Sequence, residues 1–173
     1  MSDLTPRDRR PETIVAAWWR GLQPRSDGSG GNRAALARLR RSHTALEASS
    51  EEETLKLCRA LGRGWKGLEG AAVAAAVLAH VREDAPGERA ARQLGATPSI
   101  PAVMSWLRFR RLAQAGTPDE QVIAFRRAVA LAGGRLNVAD LGASLLDWND
   151  TRRRRWMYDY HDAPIGDAKD NVA

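Results

Sequence analysis

Leu145-Leu146-Asp147-Trp148-Asn149-Asp150-Thr151-Arg152-Arg153-Arg154-Arg155-Trp156-Met157-Tyr158-Asp159-Tyr160 is the stretch whose reading decides the fold. It reads as the end of one amphipathic helix, a two-residue corner and a second helix. Asn149 or Asp150 can cap the second helix, because a side-chain oxygen there accepts a free backbone N–H. Four arginines then cover every side of its first turn. Arg152 and Arg153 stand one turn before Trp156, so a guanidinium can lie on the indole face. Trp156 and Tyr160, at i and i+4, share a face that can dock on a bundle. The pattern predicts a packed helix with a strongly positive exposed side.

Toward the N-terminus the same helical spacing recurs. Residues 1–11 read as frayed. Ile14, Val15, Trp18, Trp19 and Leu22 form a stripe at i, i+1, i+4, i+5 and i+8, which Gln23-Pro24 ends. A glycine-rich loop follows, and a helix is expected from Asn32 with Leu36, Leu39, His43 and Leu46 on its apolar face. Ser50 and Glu53 have capping-box spacing and open a short helix stopped by Gly62. An alanine-rich helix runs from about Leu68 to Asp84. Thr97-Pro98 reads as cap plus first-turn proline, opening a helix to Ala115 that is apolar nearly all round and expected to be central. Gly116-Thr117-Pro118 repeats that signal, Gly133-Gly134 ends the next helix, and Asn137 can cap the one after. No stretch shows strand alternation. The expectation is an all-α protein of about eight helices in two small lobes with no sheet. The N-terminal lobe spans 1–90, the C-terminal lobe 91–162, and 163–173 is a loose tail.

The charge is patterned as well. The 173 residues carry a net +6, with 24 Arg and only Lys56, Lys66 and Lys169 as lysines. The isoelectric point is about 10.4. Residues 1–41 hold a net +5 and residues 99–160 a net +4, while 42–98 hold −1 and 161–173 hold −2. A surface tuned for solubility intersperses its signs, whereas blocks of arginine suit a polyanion, nucleic acid above all. Arginines near helix C-termini can instead serve the helix dipole or pair with acids, and that applies to Arg110, Arg126 and Arg127. The four-arginine run opens a helix, where the dipole disfavours cations.

Chemistry-bearing patterns are few. No phosphate-binding glycine loop with a following lysine appears. His43 and His80 sit on or beside apolar stripes and read as core residues, and His161 lies near the chain's fraying end. Cys58, the only cysteine, lies among leucines and reads as a buried thiol, so no intrachain disulfide is expected. No acid–base pair, triad or metal set emerges, and no cofactor or enzymatic activity is expected. With no apolar leader and no long apolar run, a cytoplasmic, membrane-free protein is expected. Six tryptophans could stack on bases, but five fit helical packing positions; Trp65, between Gly64 and Lys66, is the one expected to be exposed, and the sequence leaves its role open.

Several stretches together resemble the CasB family, the small subunit of the type I-E CRISPR Cascade surveillance complex. They are the Trp18-Trp19 helix, Gly31-Asn32-Arg33-Ala34-Ala35-Leu36-Ala37-Arg38, Arg108-Phe109-Arg110-Arg111-Leu112, Phe125-Arg126-Arg127-Ala128-Val129, Leu145-Leu146-Asp147-Trp148 and Trp156-Met157-Tyr158-Asp159-Tyr160. The resemblance covers about residues 12–162. It implies a non-catalytic, all-helical protein that packs head to tail with a second copy. Its implied partners are other Cascade subunits, crRNA, and target and displaced DNA strands, which it holds during R-loop formation. By motif, Arg38, Arg108 and Arg127 match basic family positions that face nucleic acid. Arg33, Arg41, Arg111, Arg126, Arg152 and Arg153 join them on the charge argument. Arginine forks onto phosphate without reading sequence, so six contacts to a single strand give a log–log salt slope of about −4. Two other readings stay open: a free-standing helical nucleic-acid-binding regulator, and a scaffold whose arginines meet acidic protein surfaces.

Overall fold

The computed structural model describes residues 10–161. The N-terminal stripe forms α1 (Pro11–Leu22), with Pro11 in its first turn. After it come α2 (Arg33–Arg41), α3 (Ala45–Ser49), α4 (Glu52–Ala60) and a 3-10 turn (Trp65–Gly67). The centre of the molecule is α5 (Leu68–Leu78), in which every side chain from Ala71 to Leu78 is buried. Then come β1 (Glu83–Asp84), α6 (Ala90–Leu94), α7 (Trp106–Ala113), α8 (Pro118–Leu131), β2 (Arg135–Leu136), α9 (Val138–Leu146) and α10 (Asp150–His161). Alanine supplies most of α5, so α3, α4, α8 and α9 all approach it closely, and α1 packs on α9. One apolar core runs through these helices. The expected tail, 163–173, and residues 1–9 lie outside the described residues.

The expectation of no sheet is overturned. β1 and β2 pair in parallel, Glu83 opposite Arg135 and Asp84 opposite Leu136. Gly133 and Gly134 take φ of +66° and +79°, a left-handed turn open to glycine. That turn swings the chain after α8 back against the exit of α5, where Arg82 N–H donates to the Gly134 carbonyl at 2.8 Å. Two residues per strand are too few for alternation to show in sequence. The described residues form ten α-helices, not eight.

Three helix boundaries also differ. The helix expected to carry His43 and Leu46 ends at Arg41, because Thr44 accepts the Glu47 N–H and caps a new helix, α3. His43 is therefore exposed and not a core residue, and Leu46 is 81% exposed. Ser50 does not form the expected capping box. Its hydroxyl donates to the Glu47 carbonyl, and α4 starts one residue later, after Glu51. Thr97-Pro98 does not open a helix either. Thr97 closes a turn with Ile100, and Pro101 holds the preceding residue away from helical backbone. Helix α7 begins only at Trp106, and Ile100 and Leu107 are exposed.

The caps Asn32, Asn137 and Asn149 each accept a backbone N–H three residues on. Thr117 and Glu120 form a reciprocal capping box at the start of α8. In α10, Trp156 is fully buried and Tyr160 nearly so. The Trp156 ring lies edge-on to Phe125 at 5.2 Å and to Trp148 at 5.3 Å, and its indole N–H donates to Ser144 Oγ at 3.0 Å. Those rings take the place expected for a guanidinium. The Tyr160 hydroxyl donates to the Met104 carbonyl at 2.5 Å, fastening α10 to the segment before α7.

Candidate nucleic-acid interface

Arg108 and Arg111 stand at i and i+3 on α7, so they share a face. Across from them, α8 presents Arg127 between the small residues Ala124 and Ala130. The space between the helices is an open groove of about 570 Å³, floored by Met104, Leu112 and Leu131 and rimmed by the three arginines. All three are exposed. Among the described residues none offers them a carboxylate at ion-pair distance or a hydrogen-bond acceptor. Three unneutralised guanidinium groups on one groove form a local positive field that an extended anion can satisfy.

The other six candidate arginines are not gathered there, and the structure sorts them by what they touch. Arg126, adjacent to Arg127, turns inward. Its Nε donates to the Ala76 carbonyl at 3.1 Å and its Nη2 to the Leu39 carbonyl at 2.9 Å. Both carbonyls lie in the last turns of their helices, so one cation serves the C-terminal ends of α5 and α2. Burial lowers its pKa from the ordinary arginine value.

On α2, Arg33 donates to the Gly28 carbonyl and Arg41 to the Ala37 carbonyl, and both are exposed. Arg38 pairs with Glu51 at 2.7 Å. In the four-arginine run, Arg153 donates to the Ala115 carbonyl and pairs with Asp150. Arg152 makes no side-chain hydrogen bond or ion pair among the described residues, though its charge helps to lower the Asp147 pKa, and Arg154 reaches only Thr151 Oγ1, at 3.5 Å. Arg155 is held by Asp140 and Asp159, and Asp159 also takes Arg89. The run is thus part anchor and part surface, not a uniformly free positive face.

Two further side chains do work that the pattern did not reveal. Arg40 donates to the Ala79 carbonyl at 2.7 Å, capping the end of α5 beside Arg126. Arg63 forks onto Asp147 at 2.8 and 2.6 Å, which lowers the Asp147 pKa and raises that of Arg63. The partners are 84 residues apart, and nothing local signals the pair. Cys58 is buried as expected, its thiol donating to the Arg63 carbonyl. Trp65 is 82% exposed, also as expected.

No helix among the described residues is long and apolar enough to cross a membrane. No curated protein matches the sequence. One solved structure with a similar chain is the crystal structure of E. coli Cascade bound to a PAM-containing dsDNA target. The TM-score is 0.59 at 17% identity, over 84% of this chain and 93% of that one, a likeness of fold. The family model for CRISPR-associated protein Cse2 matches residues 35–161, well over half of the sequence, from within α2 to the end of α10. The chain therefore belongs to the Cse2 family, the family also called CasB, to which its arginine and tryptophan motifs pointed.

Proposed function

We propose that this protein is the non-catalytic small subunit of a type I-E CRISPR RNA-guided surveillance complex, cytoplasmic, and that it holds nucleic-acid backbone without reading sequence. Its partners in this reading are the other Cascade subunits, crRNA, the target and displaced DNA strands, and a second copy packed head to tail. Family membership supports the assignment to the complex, and the relative of similar fold comes from Cascade bound to dsDNA. The observation that carries the nucleic-acid role is the groove with Arg108, Arg111 and Arg127, three cations with no acidic partner among the described residues.

The mechanism follows from arginine chemistry. Each guanidinium forks onto phosphate oxygens, while the apolar floor offers nothing that hydrogen-bonds a base edge. R-loop formation is a near-balanced exchange of one duplex for another, so a few sequence-independent backbone contacts tip it. Arg33, Arg41 and Arg152 supply further surface charge. Arg38 and Arg153 are tied to carboxylates, and their part is smaller.

The test is a salt titration of single-stranded DNA binding with the assembled complex. Replacing Arg108, Arg111 and Arg127 together by alanine removes three contacts at about 0.7 each, so the log–log slope becomes shallower by about 2. Unchanged slope and affinity in that variant overturn the reading.

A further inference from the structure

Trp65 stands apart from the groove and has no role in it. A tryptophan left 82% exposed forfeits most of its burial energy, yet the loop that carries it is not loose. Gly62, at φ +65°, turns the chain out of α4. Cys58 then fastens Arg63 twice: its carbonyl accepts the Arg63 N–H at 3.1 Å, and its thiol donates to the Arg63 carbonyl. The Arg63 guanidinium anchors the loop to the end of α9 through its fork onto Asp147. The Gly67 N–H closes the 3-10 turn on the Gly64 carbonyl at 2.9 Å. Trp65 is thus held outward on a rigid mount.

Its surroundings say what it meets. The exposed large apolar side chains of the molecule lie elsewhere, on α3, α7, α8, α10 and the segment before α7. Within residues 62–67 Trp65 is the one large apolar side chain, and the apolar groove that reaches Leu61 and Gly62 is lined mostly by α1 and α4 and does not include Trp65. Residues 59–66 hold Arg59, Arg63 and Lys66 and no acid. The Lys66 ammonium lies 5.8 Å from the centre of the Trp65 ring. Lys66 also lines a polar cleft of about 250 Å³ with Arg63, Glu69, Asp147, Gly116 and Pro118, in which Arg63 takes Asp147, so the loop sits at the corner where α7 turns into α8. A lone, rigid aromatic face beside a cation, next to the helices that carry Arg108, Arg111 and Arg127, matches a stacking platform for a single strand.

We propose that Trp65 stacks an unpaired nucleobase while Lys66 holds its phosphate. This deepens the nucleic-acid reading above and rests on it. The platform serves single strands only, because a paired base is already stacked, and it tolerates any base, because every base has a π face.

The test compares two 20-nucleotide single strands of equal charge, oligo-dT and an abasic oligomer of the same length, with full-chain protein in the assembled complex at fixed salt. Wild type should bind oligo-dT about tenfold tighter than the abasic strand. Trp65→Ala should lose that preference and leave abasic binding unchanged, while Trp65→Phe should keep most of it and Trp65→Leu should not. Because the side chain is exposed, the variants should melt with wild type. If Trp65→Ala binds oligo-dT as wild type does while the triple arginine variant weakens both strands, the stacking role is overturned and the groove stands. If wild type binds neither strand, both fall. If Trp65→Ala lowers only recovery of the assembled complex, Trp65 is a protein anchor and the stacking role is overturned.

Discussion

Arg126 and Arg127 are adjacent in sequence and opposite in placement, one bonded inward and one exposed, which makes them a test of how the arginines are sorted. Arg126→Ala removes two hydrogen bonds from a charged donor, to the Ala76 and Leu39 carbonyls. Such bonds contribute roughly 1.5–3 kcal/mol each. Arg126 is only partly buried, so water replaces part of what is lost, and the net destabilisation should be about 2–3 kcal/mol. For a chain of this length that lowers the melting temperature by roughly 5–10 °C. Arg126→Lys should recover no more than half, because one ammonium cannot span both carbonyls as a guanidinium does. Arg127→Ala should change stability by less than about 0.5 kcal/mol, since it has no partner among the described residues. The salt slope for single-stranded DNA should behave in the opposite way, dropping by about 0.7 for Arg127→Ala and not for Arg126→Ala. Calorimetry and a salt titration on the same two proteins decide it. The sorting is refuted if Arg126→Ala melts with wild type and loses slope, or if Arg127→Ala unfolds the protein.

Other outcomes follow from the core and from the titrating groups. A Cβ at Gly142 would collide with Val15 and Leu78, so Gly142→Ala should destabilise by about 1–3 kcal/mol in urea unfolding. Trp156→Ala empties the centre of the aromatic cluster and should cost about 3–5 kcal/mol in the same assay. His80 is held below its ordinary value of 6.5 by burial first, then by the nearby cations of Arg126 and Arg40. The unfolded chain therefore takes up that proton more readily, and stability present above about pH 6.5 is lost as pH falls below it. The urea midpoint should fall between pH 7 and pH 5.5 in wild type and hold steadier in His80→Asn. Asp147 is depressed below 3.8 by Arg63, so its contribution is lost only in more acid solution, and Arg63→Ala should remove that acid-range loss.

The local signals in the sequence were legible where a side chain answers to its own neighbours. Asn32, Asn137, Asn149 and the Thr117–Glu120 pair cap the helices that their spacing predicts, and the Trp18-Trp19 stripe and the Trp156–Tyr160 face are buried or half-buried as their period requires. The break after Arg41 was hidden because Thr44 competes with continued helix, and apolar periodicity carries on across it. The strand pair was hidden by its length. For the candidate interface, composition located the blocks of charge but could not say which arginines they leave free. Arg126 finds carbonyls 50 and 87 residues away, and Arg155 finds Asp140 on another helix. Only the groove between α7 and α8 shows Arg108, Arg111 and Arg127 as a set.

The short parallel pair between β1 and β2 has a mechanical consequence. It stitches the chain leaving α5 to the chain leaving α8, close to where Gly134 accepts from Arg82. Arg126 clamps the same two helices from the side. On the proposed reading, tension from a nucleic-acid strand along the α7–α8 edge would be borne in shear by backbone bonds and passed to α5, the most deeply buried helix. Bonded in this way to α5, the edge is built as a strut rather than a flap.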